Sequence, residues 1–403
     1  MRRGEIHSAG RRFAAPHLKA TRKRLRESHA PIARSATVRC THFGPWLSRS
    51  LKRQSSRIGL VTVRSLPLLV GYEEKPSIVK AMAVELGLDE PEQKTALDLF
   101  EAGFPPLTRR DWMPFLFGVS PKLIGAMSAR PDLYYRRFKL RKRSGGYREI
   151  VTPRRFLKTI QRWILHNSFH ALPVSDSAHG FIEGRNIFTN AIPHLSGRNV
   201  LAVDIQDFFP SVSRADVLTL LRQHLPFSHS VASQVAGLCT LDGILPQGAP
   251  TSPRLANAAF SPFDAAFEAL ANDWGCAYTR YADDIAFSGE RQFTRDDVTV
   301  ISGLLADSGF NIQHRKTRIV GSGSRQIVAG IVVNHAGLPP RETRRRWRAM
   351  FHRARHHPTE FGDRGHHLLG VASFVKQYSP ELAARYEAIA SDVLKRSKGE
   401  LPL

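Results

Sequence analysis

The pattern of apolar and polar positions is clearest in two stretches. From Val200 the chain runs through Leu201, Ala202 and Val203, an apolar segment of strand length that ends in Asp204 and turns at Pro210. Further on, Cys276, Tyr278 and Arg280 interleave with Ala277, Thr279 and Tyr281, and Ile285, Ala286 and Phe287 follow. This pattern predicts a β-hairpin with Ala282-Asp283 at its tip. A second hairpin is predicted over residues 134–150, turning at Gly145-Gly146, and a single strand over residues 327–334. Elsewhere the spacing is helical. Residues 77–129 read as short helices, one of them opening at Ser120-Pro121. A helix over 154–172 places Leu157, Ile160, Trp163 and Ile164 on one face and Arg155, Lys158 and Arg162 off it. Ser213 and Asp216 form a capping box that opens a helix to Leu225. Ser252-Pro253 opens another helix to about Ala271, with Leu255, Ala259, Phe263, Ala266 and Leu270 as its buried stripe, and Thr294 caps the helix of Val298, Ile301, Leu304 and Leu305. After Pro339-Pro340 three helices are predicted, the first crowded with Arg341, Arg344, Arg345, Arg348 and His352. Strands and helices are mixed along the chain, and an α+β fold is expected.

Charge changes the picture. The formal net charge is +24, and residues 1–65 alone carry sixteen Lys/Arg against two Asp/Glu, an excess of 16 − 2 = 14. Residues 1–75 show no sustained periodicity and are expected to form a disordered basic arm. It either binds RNA or is left out when translation begins later, as at Met82. Such asymmetry points to a polyanionic partner whose binding weakens steeply with salt, the alternative being a merely soluble basic protein. No run of about 18 apolar residues occurs, so no membrane partner is expected. Cys40, Cys239 and Cys276 are odd in number and lack metal-ligand spacing, which suits free thiols in a reducing, cytoplasmic compartment.

The candidate chemistry lies where the two alternating stretches end. Adjacent carboxylates at Asp283 and Asp284, flanked by apolar strands, repel each other and are costly to desolvate, and a divalent cation would relieve both penalties. Together with Asp204 on a neighbouring strand they could hold a pair of Mg²⁺ ions about 4 Å apart, the arrangement of nucleotidyl transfer. The alternative is a solvated Asp-Asp turn beside an ordinary strand-end aspartate.

Tyr281-Ala282-Asp283-Asp284, Asp204 and the segment Leu245-Pro246-Gln247-Gly248-Ala249-Pro250-Thr251-Ser252-Pro253 occur in order in a stretch that, from about Tyr135 to Pro380, resembles the reverse transcriptases, and among them the bacterial retron type. The resemblance implies a right-hand polymerase: residues 131–335 as fingers and an antiparallel-sheet palm, 336–403 as a small helical thumb, and 76–130 as a helical segment packing on the fingers. It implies catalytic, Mg²⁺-binding roles for Asp204, Asp283 and Asp284. Arg141 and Arg148 match the basic residues that clamp the triphosphate of an incoming dNTP, and Gln247 the glutamine of the nucleotide pocket. Phe209 matches the aromatic that excludes a 2′-hydroxyl, or else is a core residue. Lys316 matches a basic residue that protonates departing pyrophosphate, binds phosphate, or is simply exposed. Asn190 and His194, in Asn190-Ala191-Ile192-Pro193-His194, are similar to a retron element associated with recognising a dedicated RNA. Val328 and Gly330 flank Ala329, where the retron pattern has Thr, which puts the usual RNA contact there in doubt. The implied partners are a structured noncoding RNA serving as template and primer, its cDNA product, and a separate effector protein. The implied reaction yields a branched RNA–DNA in defence against phage. Reverse transcriptases of the group II intron or diversity-generating kinds, or a noncatalytic RNA-binding protein of the same fold, are the alternatives.

Overall fold

The computed structural model describes residues 76–141, 145–306, 308–334 and 337–397. The expected N-terminal arm, residues 1–75, lies outside them. The described chain opens with α1 (Pro76–Glu85), α2 (Glu90–Glu101), α3 (Trp112–Phe117) and α4 (Pro121–Ala129). Their starts are written locally. Asp89 accepts the Glu92 N–H, Ser120 accepts the Leu123 N–H, and a proline stands in each first turn, where its missing N–H costs nothing.

Next comes the antiparallel hairpin of β1 (Tyr135–Arg141) and β2 (Tyr147–Pro153), paired from Tyr135↔Pro153 to Arg141↔Tyr147. Gly145 and Gly146 both take left-handed φ, 87° and 74°, as the predicted turn requires. Beyond Tyr135, β1 is exposed. The hairpin is anchored at its base, where the buried Gln161 Nε2 donates to the Tyr135 hydroxyl (2.8 Å) from α5 (Arg155–Asn167). That helix is shorter than its sequence suggests. It stops at Ser168, because the Arg254 guanidinium binds the carbonyls of Phe169, His170 and Leu172 (2.9, 3.0 and 2.6 Å) in a 3₁₀ turn.

A five-stranded sheet organises the middle of the chain. Its strands are β3 (Asn199–Gln206), β4 (Ala277–Tyr281), β5 (Asp284–Gly289), β6 (Asn311–Ile312) and β7 (Arg318–Gly321). The order is β4-β5-β3-β6, with β7 also against β3, and every pairing is antiparallel. β3 is central and covered on both faces, which explains its nearly unbroken apolar run. Leu201, Val203, Ile205, Ile285 and Phe287 enter the main core, which α9 (Ser252–Asp273) shares through Phe260 and Phe267. Val200 and Ala286 face the other way, onto α6 (Ile187–Ala191) and the hairpin of β8 (Ile327–Val328) and β9 (Ile331–Val332). Residues 327–334 are therefore not one strand. The chain reverses at Ala329-Gly330, both with positive φ (45° and 85°).

α7 (Arg214–His224), with its capping box, and α8 (His229–Cys239) complete the shell over that core, with α10 (Arg295–Leu304) beyond β5. On α9 the deepest face is rotated from the predicted stripe. Of the predicted residues only Leu255 is fully buried, whereas Ala256, Phe260, Asp264, Phe267 and Ala271 are. Asp264 reads as a surface residue in sequence, but it ends in a buried ion pair with Arg280 at 2.6 Å. The C-terminal helices α11 (Arg341–His356), α12 (Gly365–Lys376) and α13 (Pro380–Ser397) form a cluster of their own, with Phe351 stacked on Tyr386. α12 and the turn after it reach α6: the Phe374 and Tyr378 rings lie 5.4 and 5.5 Å from that of Phe188.

Candidate active site

The register of the sheet decides which acidic residues meet. In β3 and β5, Asp204 pairs directly with Asp284, followed on the same face by Ala202 with Ala286. Side chains directly opposite on one face of an antiparallel pair stand about 5 Å apart at Cβ. Two carboxylates therefore share one end of the sheet, above a floor of alanines. Tyr281 pairs with Asp284, so Ala282 and Asp283 form the two-residue turn of the β4–β5 hairpin. The Asp283 carbonyl accepts the Ile205 N–H (2.9 Å), which ties the turn to β3 one residue past Asp204.

The electrostatics show the crowding. Burial, then the charges of Asp283 and Asp204, push the Asp284 carboxyl up to about 6, with Lys316 and Arg318 opposing the rise. The Asp284 carboxyl is crowded by surrounding protein while the residue still keeps solvent-exposed surface, so this repulsion is partly screened. Lys316 Nζ donates to both oxygens of Asp204 (2.9 and 2.8 Å), and that bond raises the lysine pKa against the effect of its own desolvation. Lys316 is thus the counter-charge of Asp204 in this structure. Among the described residues no three Asp, Glu, His or Cys side chains gather into a ready metal cage. The close unit is the pair Asp204–Asp284, with Asp283 contributing charge from the adjoining turn. That is a nucleus suited to a hard cation such as Mg²⁺, which usually takes one or two carboxylates and completes its shell with water and substrate phosphates.

A cavity of about 90 Å³ adjoins the pair. Lys316 and Arg318 line it together with Asn190 and the Val328-Ala329-Gly330 turn. Asn190 is 1% exposed and its Oδ1 has no hydrogen-bond partner, an orphan acceptor in the cavity wall. His194, the other residue of that element, lies inside the protein. It is 0% exposed, with Nδ1 bonded to Ser288 Oγ (2.6 Å) and Nε2 to Thr279 Oγ1 (2.7 Å). Both ring nitrogens are bonded inside the protein, so this side chain clamps the 192–194 turn to β4 and β5. Burial pushes its pKa down to about 4. Val328 is buried in the small cluster, which leaves the exposed Gly330 as the accessible part of that turn.

The remaining candidates lie on the β1–β2 hairpin, on the loop bonded to it, and just past β3. The loop containing Gln247 is bonded to the basic hairpin, its carbonyl accepting the Val151 N–H (3.0 Å). Gly248 makes the contact feasible: it takes φ +129°, and a Cβ there would stand 3.0 Å from the Val151 carbonyl oxygen. Arg141 is exposed on β1, and Arg148 pairs with Leu140 across the hairpin. Phe209 is half-buried, 6.0 Å from the Phe181 ring, whereas Phe208 packs inward on Phe260 and Phe310. Sequence reasoning missed Arg280 and Asp264, since an arginine in a strand and an aspartate in a helix carry no local mark of a partner. Nothing pointed to the left-handed Ala282 (φ 58°) either, apart from its place in a two-residue hairpin.

An antiparallel sheet that presents paired carboxylates at one end, in a chain that also carries a basic hairpin tied to a glycine-bearing loop, is suited to nucleotidyl transfer. Residues 140–358 match the family described as reverse transcriptase (RNA-dependent DNA polymerase), more than half of the chain, and the chain belongs to that family. Among curated proteins it is similar to the retron Mx65 reverse transcriptase of Myxococcus xanthus, 40% identical over 62% of this chain and 63% of that protein. The retron Mx162 enzyme of the same organism is 36% identical over 61% of this chain and 58% of its own length. The retron Ec86 enzyme of Escherichia coli is 31% identical over 58% and 73%. The chain therefore spans about six-tenths of the two Myxococcus relatives, and within the family it is of the bacterial retron type.

Proposed function

We propose that this protein is an RNA-directed DNA polymerase that extends a primer with deoxynucleotides on a structured noncoding RNA. The observation that carries this reading is the strand register that sets Asp204 opposite Asp284 beside the Asp283 turn. On this reading the five-stranded sheet is the palm, the β1–β2 hairpin belongs to the fingers, and α11–α13 are the thumb. Reverse transcriptases generally use divalent metal ions, and Asp204, Asp284 and Asp283 are the residues that would hold two Mg²⁺ here. Bound there, the ions would activate the attacking hydroxyl and steady the leaving pyrophosphate.

The chain's own groups do the rest. Arg141 and Arg148, on paired strands of the hairpin, would supply positive charge for a triphosphate. Gln247 is held at the edge of the nucleotide pocket by its bond to β2. Phe209 sits five residues past Asp204, where its ring would lie under the sugar and reject a 2′-hydroxyl by contact. Lys316 is well exposed, and it can turn from Asp204 to a phosphate oxygen and deliver a proton to it. Asn190, with its orphan acceptor, and Gly330 face the space that the primer end and RNA would enter. The basic first helix of the thumb suits a duplex backbone, read by shape and charge rather than by base edges. The relatives' retron character extends the proposal to a branched RNA–DNA product, primed from an internal 2′-hydroxyl, and to antiphage defence with a separate effector. The expected site of action is the bacterial cytoplasm, and among the described residues no helix is long and apolar enough to cross a membrane.

Primer extension on an RNA template with dNTPs and Mg²⁺ tests the reading. Asp283→Asn should lower incorporation at least a thousandfold, the loss of about 4 kcal/mol of transition-state stabilisation, while RNA binding by filter retention stays within about twofold. Extension that survives this substitution refutes the assignment.

A further inference from the structure

The turn that carries Asp283 is held from inside the core by a residue outside the acidic pair. Arg280 is 0% exposed, and its side-chain hydrogen bonds lead to the hairpin's support and to the turn itself. Nε donates to Asp264 Oδ1 (2.7 Å) and Nη2 to Asp264 Oδ2 (2.6 Å), a two-pronged bond to α9. Nη1 donates to Asn257 Oδ1 (2.9 Å) and to the carbonyl oxygen of Ala282 (3.0 Å). The guanidinium lies over the Phe260 ring, 4.6 Å from its centroid, and 5.5 Å from that of Phe208. Tyr278 donates its hydroxyl to the same Asp264 (2.7 Å). The far side of the turn is equally confined. Asn257 Nδ2 donates to the Gly180 carbonyl (2.9 Å), and a Cβ on Gly180 would stand 2.5 Å from the Ala282 nitrogen.

A buried ion pair is weak evidence for stability, because well-packed apolar residues of similar volume often do as well or better. What apolar residues cannot do is donate to a backbone carbonyl. Ala282 needs such a hold: φ 58° is a left-handed conformation that costs a non-glycine residue about 1 kcal/mol or more. We propose that Arg280 is a positioning residue of the active site. Its guanidinium, fixed in direction by Asp264 and Asn257, pins the left-handed Ala282 and so sets where Asp283 stands relative to Asp204 and Asp284. The guanidinium's charge is met by Asp264, so it acts on the turn as an oriented donor and not as a counter-ion for the catalytic carboxylates. The inference rests on the polymerase reading for its consequence in catalysis, but its structural content stands apart.

The experiment pairs Arg280→Lys with Ala282→Gly. Lysine keeps the charge but cannot span Asp264 and the Ala282 carbonyl at once, whereas glycine takes the left-handed conformation unaided. Two readouts are followed in the full chain: hydrogen exchange of the Ile205 amide, which is bonded to the Asp283 carbonyl, and kcat and KM for dNTP on an RNA template. In Arg280→Lys, exchange at Ile205 should quicken about tenfold more than at the far end of β3. kcat should fall about tenfold with KM within about twofold, the pattern of a group acting only on the transition state. Adding Ala282→Gly should recover at least threefold in both, a coupling that a loss of general core stability would not show. The inference is overturned if Arg280→Lys matches wild type, or if the double variant is no better than the single. Should Arg280→Lys not fold, Asn257→Ala takes its place with the same outcomes deciding. If wild type itself fails to extend primers, the polymerase reading falls while the exchange data still decide the role of Arg280.

Discussion

At the scale of single residues, the site is governed by what each polar group is bonded to. His194 shows this most clearly. Its imidazole is neutral and enclosed by Ser288 and Thr279, with its pKa pushed down to about 4 by burial, then by the charge of His179. Unfolded, it ionises near 6.5. The stability it lends is therefore complete above pH 6.5 and is lost as pH falls towards 4, by up to about 3 kcal/mol at 1.36 kcal/mol per unit. His194→Asn should be less stable than wild type at pH 7 and lose most of that disadvantage by pH 4. Denaturant melts at a series of pH values check it, and a constant difference would contradict it. The same residue marks a limit of reading from sequence. His194 stood in a motif, and a motif does not reveal that both ring nitrogens are consumed inside the fold. Asp283 and Asp284 were legible because adjacent carboxylates between apolar strands are costly wherever they occur. Arg280 and Asp264 were not, because their justification is each other, sixteen positions apart.

At the scale of elements, turns carry much of the meaning. The β4–β5 hairpin was legible from alternation and the end of β3 from an apolar run closed by Asp204, and the antiparallel register that joins them is consistent with which faces are buried. Residues 327–334 were misread as one strand, because an apolar run of that length hides a two-residue reversal when its turn is Ala-Gly and not Asn-Gly. Ala329, with φ 45°, is the strained member of that turn. Ala329→Gly should stabilise the protein by about 0.5–1 kcal/mol, as expected where glycine relieves a positive φ, read as a shift in the denaturation midpoint with unchanged slope. The α9 stripe was displaced for a related reason: periodicity assigns charged positions to the surface, and here a buried ion pair pulls Asp264, and with it the helix face, inward.

At the scale of the molecule, three clusters cooperate: the main core under the sheet, the small cluster over its other face, and the core of α11–α13. The second joins the others through Phe188, which meets Phe374 and Tyr378 of the C-terminal bundle. Phe374 is only partly buried, so Phe374→Ala should cost about 2 kcal/mol, less than the 3–5 of a fully buried phenylalanine. If the bundle grips the duplex as proposed, it should also shorten the cDNA made in one binding event, measured with a trap that prevents rebinding. The composition pointed to a polyanionic partner from the outset, and the basic face of α11 gives that charge a place in the fold. The account depends finally on a metal site at the end of the sheet. The most direct test is anomalous diffraction from crystals of the protein with RNA, a primer, a non-hydrolysable dNTP and Mn²⁺. Peaks about 2.1 Å from the carboxylate oxygens of both Asp204 and Asp284, with Lys316 turned away, are the predicted result. A Mn²⁺ bound elsewhere, with the Lys316–Asp204 pair intact in the loaded complex, would contradict it.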